Sequence, residues 1–478
     1  MADPYKILVL GAGISGLAAA VRLYDRLPGA SVSVWEKSEH PGGVLRTVER
    51  NGFQFEQSTD NFITTVPWGL NFCSRLGLTD HLVRTNNRDR RTYVARHGRL
   101  HPLPDGFMML APTKLWPMVV TPLLSPFGKL RAGMELFIPR LRGEPDESIA
   151  RFARRRLGKE VFDRIVEPLL SGIYAGDAER ISLLATLPRF REMEKKDRSL
   201  ILAMTKTQKA ARKAKREEES GARYSLFVTL REGLSALAQK AAEALPPGTI
   251  HYRRTAVRVD RIPGESGSPS RWCVTDESGC SETADALICA LPSPAAGILF
   301  TNSVPAAAEF YNTIEQTGCA VVSYVFREGQ IKRDFKGMGF VVPTKEGGTI
   351  VAGSFSSHKY PHRSPAGYSV LRIFVGGARA PQLLDLPDEQ LRKQVLQETA
   401  SLLEIEGEPV DTEISKWPRG MPQYHIGHLQ RLASLNRVLD GEPSLALCGN
   451  SFTGVGLPNC IHTGEEAAEK VVKCCASE

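Results

Sequence analysis

Three glycines near the start of the chain have the spacing of a phosphate-binding turn. Gly11, Gly13 and Gly16 form the pattern G-x-G-x-x-G, between the apolar run Ile7–Leu10 and a helical pattern. The first glycine permits a tight turn, the second lets the backbone approach a pyrophosphate, and the third lets helix and strand pack closely. Glu36 ends the next apolar run and can accept hydrogen bonds from ribose hydroxyls. Together these features predict a βαβ unit that binds a dinucleotide.

A second glycine-rich turn lies near the other end of the chain. The apolar run Ser444–Ser451 ends in glycine, and the sequence TGVGLPN then leads into a predicted helix over residues 460–474. Free backbone N–H groups at a helix start favour a negatively charged group. A typical NAD dehydrogenase has no need of this second turn, so the pair predicts a long ligand that is held at both ends.

The composition is that of a globular protein with more than one domain. The chain has 478 residues, of which 42% are hydrophobic and 24% charged, with a net charge of +8. The basic stretch within Lys206–Ser220 contains no aromatic residue that could stack on a base, so we expect a solvated segment and no nucleic-acid partner. The N-terminus runs directly into a strand pattern, which predicts that there is no signal peptide.

The cysteines and histidines show no pattern of a metal site. The nine cysteines are odd in number and include no C-x-x-C pair, and the ten histidines, among them His425, His428 and His462, are spaced unlike ligands. We therefore expect reduced thiols in a cytoplasmic protein, with no bound metal.

The most apolar stretch of the sequence, Phe107–Phe127, does not predict a transmembrane helix. It contains Pro112, Pro117, Pro122 and Pro126, which would break a membrane-spanning helix. Two alternatives stay open: a buried, kinked helical segment, or a patch that dips into the surface of a membrane.

The segment that follows Glu36 resembles a known flavin-binding fold. The sequence HPGGVLRT places Gly42, Gly43 and Arg46 just after the acidic strand end. It resembles the G-G-x-x-R segment of the glutathione-reductase-like FAD fold, especially the amine oxidase and protoporphyrinogen oxidase group. The resemblance implies FAD as the cofactor, with the adenine half on the first turn and the flavin ring on the second. Glu36 would repel the additional phosphate of NADP.

Three longer motifs make the resemblance more specific. The sequences EPLLSGIYAGD, KWPRGMPQYHIGHLQRL and GNSFTGVGLPNCIHTG are similar to segments of the protoporphyrinogen and coproporphyrinogen oxidases of heme biosynthesis. This family implies a six-electron oxidation of coproporphyrinogen III or protoporphyrinogen IX, with O2 as acceptor and H2O2 as product. Orientation of the substrate against the flavin would suffice, so no catalytic base is assigned.

The resemblance also implies individual contacts. The residues expected at the cofactor are Gly11, Ala12, Gly13, Ile14, Ser15, Gly16, Glu36, Lys37, Gly43, Arg46, Ser58, Thr59, Asp60, Val257, Trp417, Val455, Gly456 and Leu457. Some members of the family hold a propionate of the substrate with an arginine, at a position where this chain has Thr92. The arginines expected to hold a propionate here instead are Arg90, Arg91 and Arg96.

The fold expected from these patterns is α/β in three interleaved parts. An FAD-binding Rossmann domain would use residues 1–65, 225–298 and 440–478. A substrate-binding domain with an antiparallel sheet would use residues 66–89 and 299–439, and its strands are expected at 319–327, 337–342, 348–357 and 368–377. Residues 90–224 would form a mainly helical cap, the part in which a peripheral contact with the inner face of a membrane would lie.

Several alternatives remain open from the sequence alone. A flavin amine oxidase or a carotenoid desaturase would share the two glycine turns, and so would a non-catalytic FAD-binding protein. The preference between coproporphyrinogen and protoporphyrinogen is undecided, and a homodimer is left open.

Overall fold

The computed structural model describes residues 4–86, 91–143, 146–207, 226–264, 268–333 and 336–476. Most of the basic and acidic stretch Lys206–Ser220 therefore lies outside the described residues, as does Arg90.

A five-stranded parallel sheet brings the two ends of the chain together. Its central strand, Lys6–Leu10, pairs on one side with Ser31–Glu36 and on the other with Ala286–Cys289, which in turn pairs with Leu445–Leu447. Ile250–Tyr252 pairs with Ser31–Glu36 and forms the other edge of the sheet. Three of the strands, Lys6–Leu10, Ala286–Cys289 and Leu445–Leu447, are short and almost wholly apolar, as expected for a parallel sheet that is covered on both faces.

Helices cover one face of this sheet. Helix Ile14–Arg26 and the C-terminal helix Leu457–Cys475 bury apolar side chains in a common core. Two further helices, Trp68–Arg75 and Ser235–Glu243, contribute to the same core.

The opposite face of the sheet is covered by strands and helices. A three-stranded antiparallel sheet consists of Ala256–Ile262, Arg271–Asp276 and Ser281–Ala284, and its first two strands form the hairpin that their alternating pattern predicts. The second core behind this face also uses helices Ser293–Leu299, Pro305–Asn312 and His428–Asp440.

A seven-stranded sheet, here called the wall sheet, follows in the second half of the chain. Its strands, in spatial order, are Asp411–Pro422, Gln316–Arg327, Tyr368–Gly376, Ile350–Phe355, Gly339–Val341, Thr92–Arg96 and Arg99–Pro102. All neighbours are antiparallel except Gly339–Val341 and Thr92–Arg96, which are parallel. Helix Asp388–Leu403 packs against one face, because every second residue of the central strands is apolar and buried there.

The cap is helical, as expected, but only from residue 116 onward. Residues 92–102 are strands of the wall sheet, so the helical expectation for that part is wrong. The alternating residues of Thr92–Arg96 bury Tyr93 and Ala95 in one core and Val94 in another, which suits a strand rather than a helix. The domain boundaries themselves stay a prediction.

The helices of the cap are short. They are Trp116–Val120, Pro126–Gly133, Ile149–Leu157, Lys159–Val161, Glu167–Tyr174, Leu183–Thr186 and Pro188–Asp197, with a 3-10 turn Met134–Phe137, a π-helical turn Phe162–Val166 and helical residues 200–207. Phe107–Met108 and Ala111–Pro112 pair as a small hairpin before them.

Smaller elements connect the three parts. Thr47–Arg50 pairs with Phe53–Glu56, and Phe227–Leu230 pairs with Phe62–Ile63 and Leu82–Arg84. Single helical turns lie at Thr79–His81, Thr344–Glu346, Ser356–Lys359, Pro361–Arg363, Gly377–Arg379 and Pro381–Asp385.

The apolar stretch Phe107–Phe127 has a buried and an exposed side. Phe107, Leu110 and Leu123 lie in the core of the cap, whereas Trp116 and Phe127 are 72% and 86% exposed. Among the described residues, no helix is both long enough and apolar enough to cross a membrane.

Candidate functional site

The first glycine turn has the geometry that a pyrophosphate requires. Gly11 has a φ of +96°, which is in the left-handed region. A Cβ on Gly16 would lie 1.9 Å from the carbonyl oxygen of Gly11, so only glycine allows the helix to start this close to the strand. A Cβ on Gly13 would meet nothing within 4 Å. The space beside Gly13 is therefore open at the N-terminus of helix Ile14–Arg26, with Ser15 and Gly16 in its first turn.

Glu36 fixes the glycine turn from the neighbouring strand. Its Oε2 accepts a hydrogen bond of 2.8 Å from the N–H of Ala12, and its Oε1 accepts bonds from the N–H and the hydroxyl of Ser38 at 2.8 and 2.7 Å. Lys37, the next residue, is exposed. Oε1 already accepts two bonds, whereas Oε2 accepts one and can accept a further bond. This geometry is compatible with a ribose contact through Oε2, and that contact stays a prediction.

The second glycine segment lies directly against the first. The N–H of Gly42 donates to the carbonyl of Ala12 at 2.8 Å, and a Cβ on Gly43 would come within 3.5 Å of the Cα of Gly13. Gly42 and Gly43 both have left-handed φ angles, +104° and +60°. Nε of Arg46 donates to the carbonyl of Gly43 at 3.3 Å. The two segments thus present glycine backbone to one common space, which is what a phosphate chain needs.

Trp417 and the loop Gln57–Asn61 lie next to this space. The indole N–H of Trp417 donates to the carbonyl of Gln57 at 2.7 Å, and the guanidinium of Arg46 lies 5.9 Å from the centre of the indole ring. The hydroxyl of Ser58 donates to the carbonyl of Val44 at 2.5 Å. The structure therefore brings Arg46, Ser58 and Trp417 together, at the point where the wall sheet meets the parallel sheet domain.

Asp60, which was expected at the cofactor, is buried and forms ion pairs with three cations. Its Oδ2 lies 3.0 Å from the ammonium nitrogen of Lys359, 3.2 Å from Nη1 of Arg372 and 3.5 Å from Nη1 of Arg363. Burial opposes ionisation of Asp60, but the three positive charges outweigh it and lower the pKa of the carboxyl. Thr59 donates its hydroxyl to the carbonyl of Asn61.

The second glycine turn begins the C-terminal helix earlier than expected. Gly456 is the N-cap and Leu457 the first helical residue, whereas the sequence predicted the helix from residue 460. Proline at the second helical position, Pro458, explains the difference, since proline is well tolerated in a first turn. Val455 and Gly456 are partly exposed, so their backbone can face a ligand.

The three long motifs meet in space through one strand end. The side-chain amide of Gln423 donates to the carbonyl of Tyr174 at 3.0 Å, which joins the strand to helix Glu167–Tyr174. Tyr424 donates its hydroxyl to the carbonyl of Asn450 and accepts from the N–H of Gly454 at 3.0 Å. Burial raises the pKa of Tyr424, so the phenol stays neutral. The motif around Tyr424 thus links the cap to the second glycine turn.

The remaining predicted residues take no part in the contacts described so far. Val257 is 51% exposed and sits at a β-bulge between Ala256 and Arg258. Arg96 donates to the carbonyl of Pro122, in the apolar stretch of the cap. Arg91 is exposed beside the wall sheet strand that begins at Thr92. The structure does not bring Arg91 or Arg96 into contact with the glycine turns, and their roles stay predictions.

The site includes charged residues that the sequence patterns missed. Lys359, Arg363 and Arg372 hold the loop of Ser58 and Asp60, yet none of them belongs to a motif. Of the three, only Arg372 could have been noticed in the sequence. It lies within the apolar strand run YSVLRIFVGG, where a charged side chain that faces the interior needs a partner. Within the described part of the chain, no group of three His, Cys, Asp or Glu side chains could hold a metal ion.

Comparison with known proteins identifies the class. The model of the flavin-containing amine oxidoreductase family matches residues 14–472, and the chain belongs to this family. It is therefore an oxidoreductase with a flavin cofactor. The site fits such a group, because the open space at Gly13, the contact between the two glycine segments and the free helix start at Gly456 are all present.

Individual relatives confirm the more specific resemblance. The chain is 35% identical to a coproporphyrinogen III oxidase of Bacillus subtilis, with 98% of both chains covered. It is 30% identical to one of Staphylococcus aureus (98% and 99% covered) and 29% identical to a chloroplastic protoporphyrinogen oxidase of Nicotiana tabacum (97% and 85% covered). The expected similarity to the protoporphyrinogen and coproporphyrinogen oxidases is thus confirmed.

Solved structures agree on the fold. A protein of Exiguobacterium sp. 255-15, assigned as a protoporphyrinogen oxidase, superposes with a TM-score of 0.84 at 29% identity and covers 98% of this chain and 99% of its own. A putrescine oxidase superposes with a TM-score of 0.70 at 16% identity (98% and 99% covered), which supports the fold alone. The expected α/β fold class, with its flavin-binding Rossmann domain, wall sheet and helical cap, is confirmed.

Proposed function

We propose that this protein is an FAD-dependent oxidase that converts coproporphyrinogen III to coproporphyrin III in heme biosynthesis. The observation that carries the proposal is the full-length similarity to three coproporphyrinogen III oxidases at 30–35% identity, above the 25–29% of the protoporphyrinogen oxidases in the same comparison. Protoporphyrinogen IX is the alternative substrate. Amine oxidation is less well supported, since the amine oxidases share only the fold.

The two glycine turns support FAD rather than a shorter flavin. Gly13 and Gly43 form one backbone surface, and the helix start at Gly456 forms another. Helix Leu457–Cys475 runs parallel to helix Ile14–Arg26, because Gly464 lies against Ser15 and Glu469 pairs with Arg22 further along both helices. Both helices therefore start at the same side of the sheet. A dinucleotide can use the first surface for its pyrophosphate and the second for its ring.

The overall reaction removes six electrons and six protons from the porphyrinogen, and three O2 accept them to give three H2O2. The bound flavin supplies the acceptor for hydride from a methylene bridge of the substrate. The residues of this chain orient the substrate and exclude water. Orientation alone can lower the activation free energy of hydride transfer substantially, without a general base.

We propose that the substrate lies between the cap and the wall sheet. Gly172 lies in helix Glu167–Tyr174 and faces the wall sheet. A Cβ at this position would lie 3.5 Å from side-chain carbons of Ala352 and Val341. Phe374 lies at the border of this packed area, and Arg372 beside it already faces the loop of Ser58. An aromatic and apolar surface at this border suits the pyrrole rings of a porphyrinogen and the flat porphyrin that is formed from it.

The four propionates of coproporphyrinogen III require cationic partners. Arg91 and Arg96 remain the proposed partners among the described residues, because arginine binds carboxylates through two parallel hydrogen bonds. Arg96 has its guanidinium at the carbonyl of Pro122, next to the exposed stretch of the cap.

We also propose that the cap contacts the surface of a lipid bilayer. An apolar patch is exposed on two neighbouring short helices and the turn after them. Its side chains are Leu115, Trp116, Val119, Val120, Phe127, Leu130, Met134 and Phe137. The same stretch carries Lys129, Arg140 and Arg142, whereas its one carboxylate, Glu135, is buried against Arg156. Exposed aromatic side chains beside basic ones suit an anionic membrane surface.

An anaerobic titration tests the oxidase function. Purified yellow protein is mixed without oxygen with coproporphyrinogen III or with protoporphyrinogen IX. We expect the flavin absorbance to bleach, faster with coproporphyrinogen III. One flavin accepts only two of the six electrons, so porphyrin fluorescence should rise mainly after oxygen is admitted. Admission of air should restore the yellow colour and release three H2O2 for each porphyrin formed.

The outcomes separate the alternatives. Bleaching by a primary amine or a carotene precursor, with no response to either porphyrinogen, would overturn the proposal in favour of an amine oxidase or a desaturase. A flavin that no such compound reduces, while dithionite does reduce it, would indicate a non-catalytic flavin-binding protein.

A further inference from the structure

Five charged side chains, four of them buried and one partly exposed, form a cluster below the loop Ser58–Asn61. Three are cations, Lys359, Arg363 and Arg372, and two are carboxylates, Glu56 and Asp60. We call these five residues the Asp60 cluster. Asp60 lies within 3.5 Å of all three cations, and Oε1 of Glu56 lies 3.6 Å from Nη2 of Arg363. The cluster therefore has one more positive than negative side chain.

Burial of this excess positive charge costs folding free energy. Arg363 and Arg372 are 0% and 1% exposed, and Nε of both has no hydrogen-bond partner within the described residues. Nη1 of Arg372 also lacks a partner of good geometry there. A buried ion cluster seldom gives more stability than apolar side chains of the same volume, so stability alone is a weak reason for it.

The cluster is linked to the backbone that would carry the cofactor. Nη2 of Arg372 donates to the carbonyl of Ser58, and the hydroxyl of Ser58 donates to the carbonyl of Val44. Val44 follows Gly43, which touches Gly13. On the other side, the carbonyl of Gln57 accepts from Trp417. The charges thus lie behind a loop that is bonded both to the pyrophosphate segment and to the residue expected at the flavin ring.

Lys359 is the member of the cluster that reaches outward. Its side chain keeps 13% of its surface exposed, whereas Arg363 and Arg372 are enclosed. Its ammonium donates to Asp60 at 3.0 Å and to the hydroxyl of Ser354 at 3.4 Å. Ser354 lies on the wall sheet strand Ile350–Phe355, where it pairs with Arg372 of the next strand. The electric field of a fixed ammonium behind a buried loop acts over several ångströms, because little water screens it.

We propose that Lys359 is a positioning residue that makes reduction of the bound flavin more favourable. Reduction adds negative charge to the flavin ring, and the ammonium of Lys359, fixed by Asp60 behind the loop, stabilises that charge. The proposal rests on the flavin position given under Proposed function. It does not depend on which substrate delivers the electrons.

The surroundings of Lys359 also make this effect depend on pH. Asp60 faces it from the loop, Arg372 and Ser354 from the wall sheet, and Arg363 from the turn Pro361–Arg363, with the phenol of Tyr360 beside that turn. Burial lowers the pKa of Lys359, and the two arginines lower it further, while Asp60 opposes them. The ammonium should therefore lose its proton at a lower pH than an ordinary lysine, whose pKa is about 10.4.

The test is the midpoint potential of the bound flavin, measured by anaerobic dithionite titration against a reference dye with no porphyrinogen present. Lys359→Met should lower the equilibrium preference for reduced flavin about tenfold, which is about 30 mV for a two-electron couple. Lys359→Arg should retain the wild-type potential. The matched control is Lys345→Met, which removes a lysine on the helical turn Thr344–Glu346 that is 57% exposed and paired with Asp163.

An unchanged potential in Lys359→Met would overturn the proposal, and so would an equal fall in Lys345→Met. If Lys359→Met retains no flavin, the midpoint potential of the wild-type protein is measured between pH 7 and pH 10 instead, and its pH dependence tests the proposal. The potential should fall more steeply with pH in the upper part of this range, where Lys359 binds a proton on reduction, and a constant slope would refute the proposal. Failure of porphyrinogen turnover leaves this measurement unaffected.

Discussion

At the scale of single residues, the structure gives two carboxylates near the glycine turns different tasks. Glu36 keeps its oxygens at the turn itself, where it holds Ala12 and Ser38. Asp60 turns away into a group of cations. Both were expected at the cofactor because of their place in a motif, but a motif does not reveal which partners a side chain meets across the fold.

Gly464 is the residue on which the contact of the two helices depends. A Cβ at this position would lie 2.1 Å from the carbonyl oxygen of Ser15. Alanine is favoured over glycine inside a helix by about 1 kcal/mol, but here the clash should decide the sign. We expect Gly464→Ala to lower the free energy of unfolding by about 1–3 kcal/mol and to weaken flavin retention.

Urea unfolding and the flavin content after gel filtration would check this prediction. Gly29→Ala is the control, because a Cβ on Gly29 meets nothing within 4 Å. A Gly464→Ala protein as stable as the wild type would show that the helices can move apart without loss.

At the scale of elements, residue spacing in the sequence predicted several helices and strands correctly. It did not predict which strands far apart in the chain pair with each other. The strand–turn–helix at Gly11–Gly16 follows from the glycine pattern, and the hairpin 256–276 from its alternation. The parallel pairing of Thr92–Arg96 with Gly339–Val341 joins segments far apart in the chain. Such pairing depends on the tertiary fold, so no local pattern predicts it.

The candidate site shows the same limit. Arg46 and Trp417 were predicted from motifs, and the structure brings them together. The cations around Asp60 come from a strand and two helical turns of the wall sheet region, and they carry no motif. They become visible only when the loop of Ser58 is packed against that sheet, because their role comes from burial and proximity.

The cap contains a buried ionic network of its own that links helix Ile149–Leu157 with helix Pro188–Asp197. Arg155 donates to Glu194 at 2.5 Å and to Glu147 at 2.7 Å, and Arg191 donates to Glu194 at 2.5 Å. Burial opposes ionisation of Glu194, but its hydrogen bonds to Arg155 and Arg191 outweigh burial and lower its pKa. The charged form of Glu194 therefore stabilises the folded cap.

We expect Glu194→Gln to destabilise the protein at pH 7 by about 3 kcal/mol, since it leaves buried guanidinium groups without their partner. The folded-state pKa of Glu194 lies below its unfolded value of about 4.3, so the carboxylate contributes fully above that value. The contribution is lost as the pH falls through the folded-state pKa. The difference between variant and wild type should therefore shrink below about pH 4.

Thermal unfolding of both proteins between pH 3 and pH 8 would measure this difference. Glu179→Gln is the matched control, because Glu179 pairs with Arg154 at the surface and is 50% exposed. If the difference between Glu194→Gln and the wild type stays constant over the whole range, the charge of Glu194 is not what stabilises the cap.

At the scale of the whole molecule, the exposed apolar patch lies on the cap and not on the sheets that hold the cofactor site. Trp116, Phe127 and Phe137 are 72%, 86% and 74% exposed. Single exposed apolar residues are common on protein surfaces, but eight large ones within one short stretch are not. The membrane contact proposed above depends on this concentration.

We expect the wild-type protein to float with vesicles of phosphatidylcholine and phosphatidylglycerol, and to bind pure phosphatidylcholine more weakly. The double variant Trp116→Ser, Phe127→Ser should lose binding about tenfold or more, because two large apolar side chains no longer leave water. Ile298→Ser, at a side chain 76% exposed on helix Ser293–Leu299, is the control. Equal flotation of the double variant and the wild type would contradict a membrane contact through this patch.

The parallel sheet is completed only by residues from both ends of the chain, and this sets an order in biosynthesis. Lys6–Leu10 leaves the ribosome long before Leu445–Leu447 and the helix that covers Ile14–Arg26. At about 5–20 residues per second, the N-terminal turn waits some tens of seconds for these partners. A nascent chain thus cannot complete the flavin site until helix Leu457–Cys475 has been made.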